Sequence, residues 1–159
     1  MIVVPLQPEY ITEVQELMKL GEPYISARTL SDYWLYAKLF STTCPITIEE
    51  DNTVTGAVIA FRSQTDPGDV YIQDVMIHPQ HRRRGIARAL LQSVRSQAEK
   101  WACERLYLTS EPDNQAAQAT WATLGFVNVP GDHENDGVSI ITDFKGPGRS
   151  RAVYELALT

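Results

Sequence analysis

The chain has 159 residues, of which 43% are hydrophobic and 21% are charged, so it can form one domain with its own core but is too short for two. Its formal net charge of -6 repels nucleic acid and anionic membranes, and a phosphate group would therefore need a local cluster of cations. We expect a single domain over residues 1–159, with no nucleic acid and no membrane as a partner.

Cysteine usage and the apolar runs indicate the compartment. Cys44 and Cys103 are the two cysteines, and nothing else suggests a disulfide scaffold, so we predict reduced thiols in the core. The N-terminus lacks a basic start followed by a long apolar run, and no segment approaches the roughly 20 apolar residues that cross a bilayer. A cytoplasmic location is the expectation.

The first part of the chain predicts a strand, two helices and a β-hairpin. Apolar residues at 2–6 predict an opening strand, and helical spacing over 11–18 predicts the first helix. The second helix is expected to follow Ser31 as its N-terminal cap. The runs 44–50 and 53–62 predict a hairpin because turn-forming residues separate them. The residues that the second helix should bury are Trp34, Leu35, Leu39 and Phe40.

The middle of the chain predicts two strands that alternate with two helices. Residues 70–77 are rich in β-branched and aromatic side chains and predict a central strand. Apolar residues about four apart predict a helix that starts at Gly85. A strand at 105–109 and a helix at 113–124, with Asp113 as its cap, are expected to follow.

The end of the chain predicts two further strands, at 126–129 and 152–158. The segment 131–150 between them is acidic at one end and rich in glycine and proline at the other. We predict that most of it is a long loop, in which 138–141 can pair as an extra strand. A homodimer formed through the late strands is also expected.

The segment HPQHRRRGIARALL, residues 78–91, places three arginines directly before Gly85 and a helix. A helix N-terminus carries unpaired N–H groups and the positive end of the macrodipole, and glycine lets an anion approach the backbone. The pattern therefore favours a bound pyrophosphate with a further phosphate nearby. The alternative is a solvated run of charges. The arginines of this segment are Arg82, Arg83, Arg84 and Arg88.

Two blocks of the sequence resemble the GNAT acetyltransferase superfamily. In IQDVMIHPQHRRRGIARALL, the family's R/QxxGxG/A loop between a strand and a helix is matched by Arg82, Gly85 and Ala87. The residues that match the family's next strand and helix, in RLYLTSEPDNQAAQATWATLGF, are Asn114, Ala117, Gly125 and Phe126. Both blocks have the family's order and separation, and the resemblance covers about residues 54–129. It implies an α/β (α+β) GNAT fold, a mixed, mostly antiparallel sheet of about six to seven strands flanked by about four helices.

The resemblance also implies acetyl-CoA as the co-substrate, with no metal. The family's pantetheine arm pairs with the central strand like an added strand, which would use the backbone of Val75 and Ile77. Asn114 matches an asparagine that contacts this arm from the next helix, and Arg82 lies among the side chains expected near the nucleotide phosphates. The backbone amides that would hold the pyrophosphate are those of Arg83, Arg84, Gly85, Ile86 and Ala87.

In this family the amine attacks the thioester directly in a ternary complex. We expect a main-chain N–H near Met76, freed from the sheet by a bulge, to stabilise the oxyanion. The family's frequent general acid is a tyrosine, but Trp121 stands at that position, and an indole cannot act as an acid. We interpret Trp121 as a packing residue, so that the thiolate leaves unassisted or is protonated by another group or by water.

The general base has two candidate positions on the central strand. The positions where the family often has a carboxylate hold Tyr71 and Gln73, which can form a water relay. Asp74 is the other candidate, and polyamine acetyltransferases resemble this stretch with an acidic pair there, but it faces the opposite side unless the strand is bulged. A structural hydrogen bond for Asp74 and a core position for Tyr71 are the alternatives.

The acceptor must be inferred from the variable segments. Their acidic residues would make a cleft negative if they converge, which favours a small cationic amine, and the alternative is an ordinary solvated surface. The stretch YWLYAKLFSTTCPITIEEDNTVTGAVIAFR also resembles diaminobutyrate acetyltransferases, which act on a diamine. The residues of the variable segments that would line this cleft are Glu22, Tyr24, Asp32, Tyr33, Asp132, Glu134, Asp136 and Asp143.

Three functions follow from these observations. The first is an acetyl-CoA-dependent N-acetyltransferase that acts on a primary amine of a small acceptor, such as a diamine, a polyamine or an aminoglycoside. The second is acetylation of a protein or peptide, which requires an open groove. The third is a CoA-binding sensor or partner domain without turnover, which the missing tyrosine favours.

Overall fold

The computed structural model describes residues 1–158. Seven strands form one sheet in the order β1-β2-β3-β4-β5-β9-β6, and β7 and β8 form a separate hairpin. The strands are β1 (Ile2–Pro5), β2 (Pro45–Ile48), β3 (Val54–Arg62), β4 (Asp69–Ile77), β5 (Arg105–Ser110), β6 (Val127–Asn128), β7 (His133–Asn135), β8 (Val138–Ile140) and β9 (Ala152–Ala157). The helices are α1 (Ile11–Lys19), α2 (Leu30–Leu39), α3 (Ile86–Lys100) and α4 (Gln115–Thr123).

The sheet is mixed and mostly antiparallel. Within it, β4 and β5 run parallel, and every other neighbouring pair is antiparallel. The connection from β4 to β5 passes through α3, as a crossover between parallel strands requires. The predicted fold class, with its seven-stranded sheet and four α-helices, is confirmed.

The two faces of the sheet bury two separate hydrophobic clusters. The apolar stripe of α3 packs on one face, where Ile86 and Leu90 are almost completely buried. Helices α1 and α2 cover the other face with Val14, Met18 and Tyr33. The predicted stripe of α3 is therefore confirmed, and the fold places α3 and the α1/α2 pair on opposite sides of β4.

Helix α2 differs from the prediction in its start and in its buried face. Thr29 caps it instead of Ser31, because Thr29 Oγ1 accepts from Asp32 N at 3.1 Å and Asp32 Oδ2 accepts from Thr29 N at 3.1 Å. Tyr33 and Ala37 are its buried residues. Three of the four side chains predicted to be buried are exposed, at 50% for Trp34, 38% for Leu35 and 70% for Leu39, and Phe40 is partly buried. The prediction was wrong for these three because the helix carries large apolar residues on all its sides.

Helix α4 begins one residue later than predicted. Asn114 is its cap, with Oδ1 accepting from Ala117 N at 3.2 Å, so the proposed cap Asp113 was wrong by one position. The left-handed residue that follows the helix is Gly125, with φ of 92°. Aspartate and asparagine are equally good caps, which is why the sequence alone did not separate the two neighbours.

The segment between β6 and β9 has more structure than the predicted long loop. Strands β7 and β8 form a hairpin whose turn residues Asp136 and Gly137 are both left-handed, at φ of 51° and 81°. Asn128 holds this hairpin, because its Oδ1 accepts from Ser139 N at 2.8 Å and its Nδ2 donates to Ser139 O at 3.2 Å. The extra strand expected at 138–141 therefore exists as β8, paired with β7 and not with the main sheet.

We expect Gly131→Ala to lower the free energy of unfolding by about 1 to 3 kcal/mol, because the new Cβ would overlap the backbone of Ile140. Chemical denaturation of the variant beside the original chain measures this loss. Gly68→Ala is the matched control, since its Cβ would meet only the flexible side chain of Glu104, at 3.3 Å. Equal stability of the Gly131 variant and the original chain would contradict the packing of the hairpin against this turn.

The two cysteines have the core positions that the sequence predicts. Cys44 and Cys103 are both free and buried, and burial raises the pKa of the Cys44 thiol to about 12, so it stays protonated at neutral pH. Among residues 1–158, the helices are all too short or too polar to cross a bilayer.

Candidate active site

Strands β4 and β5 separate part of the way along their length. They are paired only from Asp69 opposite Arg105 to Ile72 opposite Leu108. Strand β4 continues to Ile77 along β3, and β5 continues to Ser110 along β9. In the described part of the chain, residues 73–77 of β4 therefore have no partner on their β5 side. We call the gap between this part of β4 and the end of β5 the strand opening.

The backbone groups of Val75 and Ile77 point into the strand opening. His78 N donates to Thr55 O at 2.8 Å, which fixes the alternation of the antiparallel pairing between β4 and β3. Along this ladder every second residue bonds to β3, so Met76 bonds to Ala57 while its two neighbours direct N–H and C=O away from β3. An extended ligand can therefore pair with β4 at the two predicted residues.

The bulge in β4 lies earlier than expected. Ile59 is opposite Asp74 and Ala60 is opposite Ile72, so Gln73 is the extra residue. The N–H of Met76 itself stays in the ladder with β3, so an oxyanion donor near Met76 would have to come from a neighbouring residue, and this role stays a prediction. The free N–H closest to the bulge belongs to Val75.

The bulge also changes which side chains share a face. Before it, Val70 and Ile72 contribute to the cluster under α3, and after it Val75 packs against the same cluster. Asp74 therefore lies on the opposite face, together with Tyr71, although the two residues are three apart. The bulge therefore places Asp74 on the face that Tyr71 occupies, as the alternative of a bulged strand anticipated.

Asp74 is a buried carboxylate without a hydrogen-bond partner. Its exposed fraction is 9%, and its Oδ2 atom is fully buried and receives no hydrogen bond from residues 1–158. Desolvation raises the pKa of Asp74, and the nearby cations Arg28 and Lys145 oppose that rise. A buried, unpaired carboxylate beside a strand opening is typical of a group that meets a ligand or transfers a proton.

Two cations from distant loops lie near this carboxylate. Arg28 precedes α2, and its Nε atom is buried without a partner, while its backbone N donates to Tyr33 Oη at 3.0 Å. Lys145 follows the hairpin, and its Nζ donates to Tyr71 Oη at 2.7 Å. We call Asp74, Arg28 and Lys145 the charged cluster. Neither cation could be singled out from the sequence, because no local pattern links residues so far apart in the chain.

The acidic residues expected to line the cleft are used in local structure. Asp32 belongs to the cap of α2, and Asp143 Oδ1 accepts from Gly148 N at 2.9 Å. Hydrogen bonds from His133 and Thr142 lower the pKa of Asp132 to about 2. The negative cleft that these residues would form if they converged stays a prediction, and the buried carboxylate Asp74 has two positive neighbours. Within residues 1–158, no group of three metal-ligating side chains occurs.

The start of α3 leaves its amides free. Gly85 caps the helix with φ of 77°, and the first helical bond runs from Ala89 N to Gly85 O at 3.0 Å. Arg82 and Arg83 form a tight turn directly before it, with φ of 65° at Arg83. In the described part of the chain, residues 1–158, none of the hydrogen bonds has the N–H of Gly85, Ile86 or Ala87 as its donor. No atom lies within 4 Å of a Cβ built on Gly85, so an anion has open access to these amides.

The arginine side chains in and after this loop differ in whether they form an ion pair. Arg84 Nη2 lies 2.8 Å from Glu49 Oε1, and the same guanidinium contacts His81, so it turns toward the β2–β3 hairpin. The side chains of Arg82, Arg83 and Arg88 are exposed. A phosphate could recruit these three without breaking an ion pair, whereas Arg84 would have to leave Glu49.

Helix α4 contributes two residues that the sequence singled out. Asn114 uses Oδ1 for the helix cap and has its amide nitrogen available, so its contact with a bound arm remains a prediction. Trp121 packs against Phe126 with ring centroids 6.3 Å apart, which confirms its interpretation as a packing residue. Its indole Nε1 also donates to Ser110 Oγ at 2.8 Å.

Comparison with known proteins gives consistent matches. The model of the acetyltransferase (GNAT) family matches residues 11–126. The L-2,4-diaminobutyric acid acetyltransferase of Halomonas elongata is 27% identical over 111 residues, which are 70% of this chain and 57% of that protein. An aminoglycoside N(6')-acetyltransferase type 1 of Acinetobacter baumannii is 34% identical over 64 residues, 40% of this chain and 43% of that protein. The matched part of the chain thus spans about half of the length of these curated relatives.

Solved structures share the fold. A diaminobutyrate acetyltransferase from Paenibacillus lautus, in complex with L-2,4-diaminobutyric acid and coenzyme A, has a TM-score of 0.76 at 20% identity and covers 98% of this chain and 93% of its own. Ard1 from Thermoplasma volcanium has a TM-score of 0.78 at 13% identity, with coverage of 99% and 97%. At these identities the likeness concerns the fold alone.

Proposed function

The chain belongs to the acetyltransferase (GNAT) family, and on that premise we propose that it is an N-acetyltransferase that transfers an acetyl group from acetyl-CoA to a primary amine of a small acceptor. The observation that carries this proposal is the strand opening beside a loop of free amides. An extended arm with a diphosphate at one end fits both features at once, because Ile77 ends the open strand directly before the loop.

In this arrangement the residues divide the binding of the coenzyme among them. The amides of residues 83–87 hold the diphosphate, and Arg82, Arg83 and Arg88 approach the nucleotide phosphates. The arm then pairs with Val75 and Ile77 along β4, as an added strand does. The amide nitrogen of Asn114 contacts the arm from α4.

The acetyl end then reaches the bulge in β4. The free N–H of Val75 stabilises the oxyanion that forms when the amine attacks the acetyl carbon. Asp74 accepts the proton that the amine loses, for which its raised pKa is suited, since a base works best when its pKa approaches the working pH. Tyr71 and Gln73 line the same side of the strand and position the acceptor or a bridging water.

The charged cluster supports a narrower acceptor class than a simple cation. A carboxylate on the acceptor would pair with Arg28 or Lys145, and an amine would approach Asp74. A small amino acid that carries a second amine satisfies all three residues. The diaminobutyrate acetyltransferases among the relatives are named for an acceptor of this kind.

A thiol-release assay with acetyl-CoA tests this function. L-2,4-diaminobutyric acid is compared with the diamine left by its decarboxylation, with an aminoglycoside and with a peptide. We expect turnover, and we expect the amino acid to have a kcat/KM at least about tenfold above that of the decarboxylated diamine. Preference for the diamine would contradict the role of the two cations, and preference for the peptide would favour protein acetylation. Tight binding of CoA without turnover on any amine would favour the sensor.

A further inference from the structure

Ser110 and Trp121 form a hydrogen-bonded pair that has no role in the proposed binding of the coenzyme or in the proposed proton transfer to Asp74. Trp121 Nε1 donates to Ser110 Oγ at 2.8 Å, and Ser110 is only 5% exposed. A buried hydroxyl at this position is unusual, because the side chains that alternate with it along β5, Leu106 and Leu108, belong to the hydrophobic core.

Ser110 is the last residue of β5 and lies beside the strand opening. Leu108 is the last residue of β5 that pairs with β4, and Ser110 comes two residues later. Across the opening, two residues beyond Ile72, lies Asp74. Asp74 faces α1 and α2, whereas Ser110 faces α3 and α4, so the two groups flank the opening from opposite sides.

The hydrogen bond from the indole leaves the serine with one unused proton. An indole N–H only donates, so Ser110 Oγ is the acceptor in this pair. Within residues 1–158, no acceptor receives the hydroxyl proton of Ser110. The group is therefore a donor held in a fixed place, with a buried lone pair already satisfied by Trp121.

We propose that the Ser110 hydroxyl, oriented by Trp121, donates a hydrogen bond to the coenzyme sulfur as the thioester is cleaved, an inference that rests on the proposed function. The amine nitrogen bonds to the acetyl carbon, the C–S bond breaks, and its electron pair stays on the sulfur as a thiolate. The amine proton goes to Asp74 and from there to solvent. Ser110 keeps its proton throughout, and the thiolate is protonated by solvent after release.

The chemistry explains why a donor belongs on this side. Negative charge grows on the sulfur as the C–S bond breaks, and a preorganised neutral donor in a buried site stabilises such charge more than bulk water does. Trp121 cannot act as an acid, but its N–H donates to Ser110, which polarises the serine hydroxyl and makes it a stronger donor. The two residues together thus stabilise the thiolate without protonating it.

The pKa of the bound CoA thiol tests this role directly, through the ultraviolet absorbance of the thiolate during a pH titration of the CoA complex. We expect Ser110→Ala to raise the thiol pKa, to lower kcat about tenfold and to leave the Kd for CoA unchanged at a pH where the thiol is protonated. Trp121→Phe, which keeps a ring against Phe126, should change both quantities in the same direction by less. If Ser110→Ala does not fold, Trp121→Phe provides the same two measurements. Thr120→Ala, which removes an exposed hydroxyl on α4, is the control.

The outcomes separate this inference from the proposed function. An original chain that neither binds CoA nor releases thiol would overturn both. An original chain that turns over, with variants whose thiol pKa and kcat match it, would overturn the inference alone. A fall in kcat caused only by lost folding would also overturn it, and thermal unfolding of each variant detects that case.

Discussion

Asp74→Asn is expected to lower kcat by about a hundredfold or more while it leaves the Kd for CoA unchanged, because the variant has no carboxylate to take the amine proton. Steady-state thiol release and calorimetric CoA titration measure the two quantities. A variant with undiminished kcat would show that the proton leaves by another route, such as water held by Tyr71 and Gln73.

The same substitution should make the protein more stable at neutral pH. Burial raises the folded-state pKa of Asp74, so the folded protein binds more protons than the unfolded chain between the ordinary value and the raised one. Stability is therefore lost as the pH rises through that interval, and the uncharged asparagine avoids the loss. Thermal unfolding of both proteins across this range should show a difference that grows with pH.

Asp132→Asn provides a control of opposite sign. Hydrogen bonds lower the pKa of Asp132 to about 2 in the folded protein, so the carboxylate adds its full stability at a pH above its ordinary pKa. This stability is lost as the pH falls from the ordinary pKa toward about 2. Its asparagine variant should therefore be less stable than the original chain at neutral pH. The same direction of change in both variants would contradict the electrostatic account of Asp74.

Gly85→Ala is expected to weaken CoA binding by at least about tenfold, because the new Cβ would occupy the space through which the diphosphate reaches the amides. The glycine has φ of 77°, so the variant also carries backbone strain of about 1 to 2 kcal/mol. Calorimetric titration with CoA measures the affinity.

Gly137→Ala is the control that separates the effect of backbone strain from the effect of a Cβ in the path of the diphosphate. Gly137 has φ of 81° and an equally open Cβ position, but it lies in the turn of the β7–β8 hairpin. Both variants should lose similar stability, and only the Gly85 variant should lose CoA affinity. Equal affinities in the two variants would place the phosphates elsewhere.

Helix α3 was predictable because its signals are local. The stripe of α3 repeats every three or four residues, and Gly85 stands where the helix begins, so periodicity and one glycine were sufficient. The two motif blocks likewise lie within continuous segments. The residues expected to bind a coenzyme could accordingly be named from the sequence, and their role stays a prediction.

The acceptor side could not be predicted in the same way. The bulge at Gln73 depends on how β4 pairs with β3, and a single extra residue there moves Asp74 to the other face. Arg28 and Lys145 lie near Asp74 only because α2 and the late segment fold over the same face of the sheet. Such long-range proximity leaves no trace in local composition, so the two cations could not be singled out from the sequence.

The most direct test of the central claim is a titration of the isotope-labelled protein with CoA, followed through its backbone amide resonances. We predict that the largest shifts occur at Val75, Ile77 and the amides of residues 83–87, because these N–H groups form hydrogen bonds with the bound coenzyme. Saturating CoA that leaves these resonances in place, or that shifts only residues away from β4 and the loop before α3, would contradict the account.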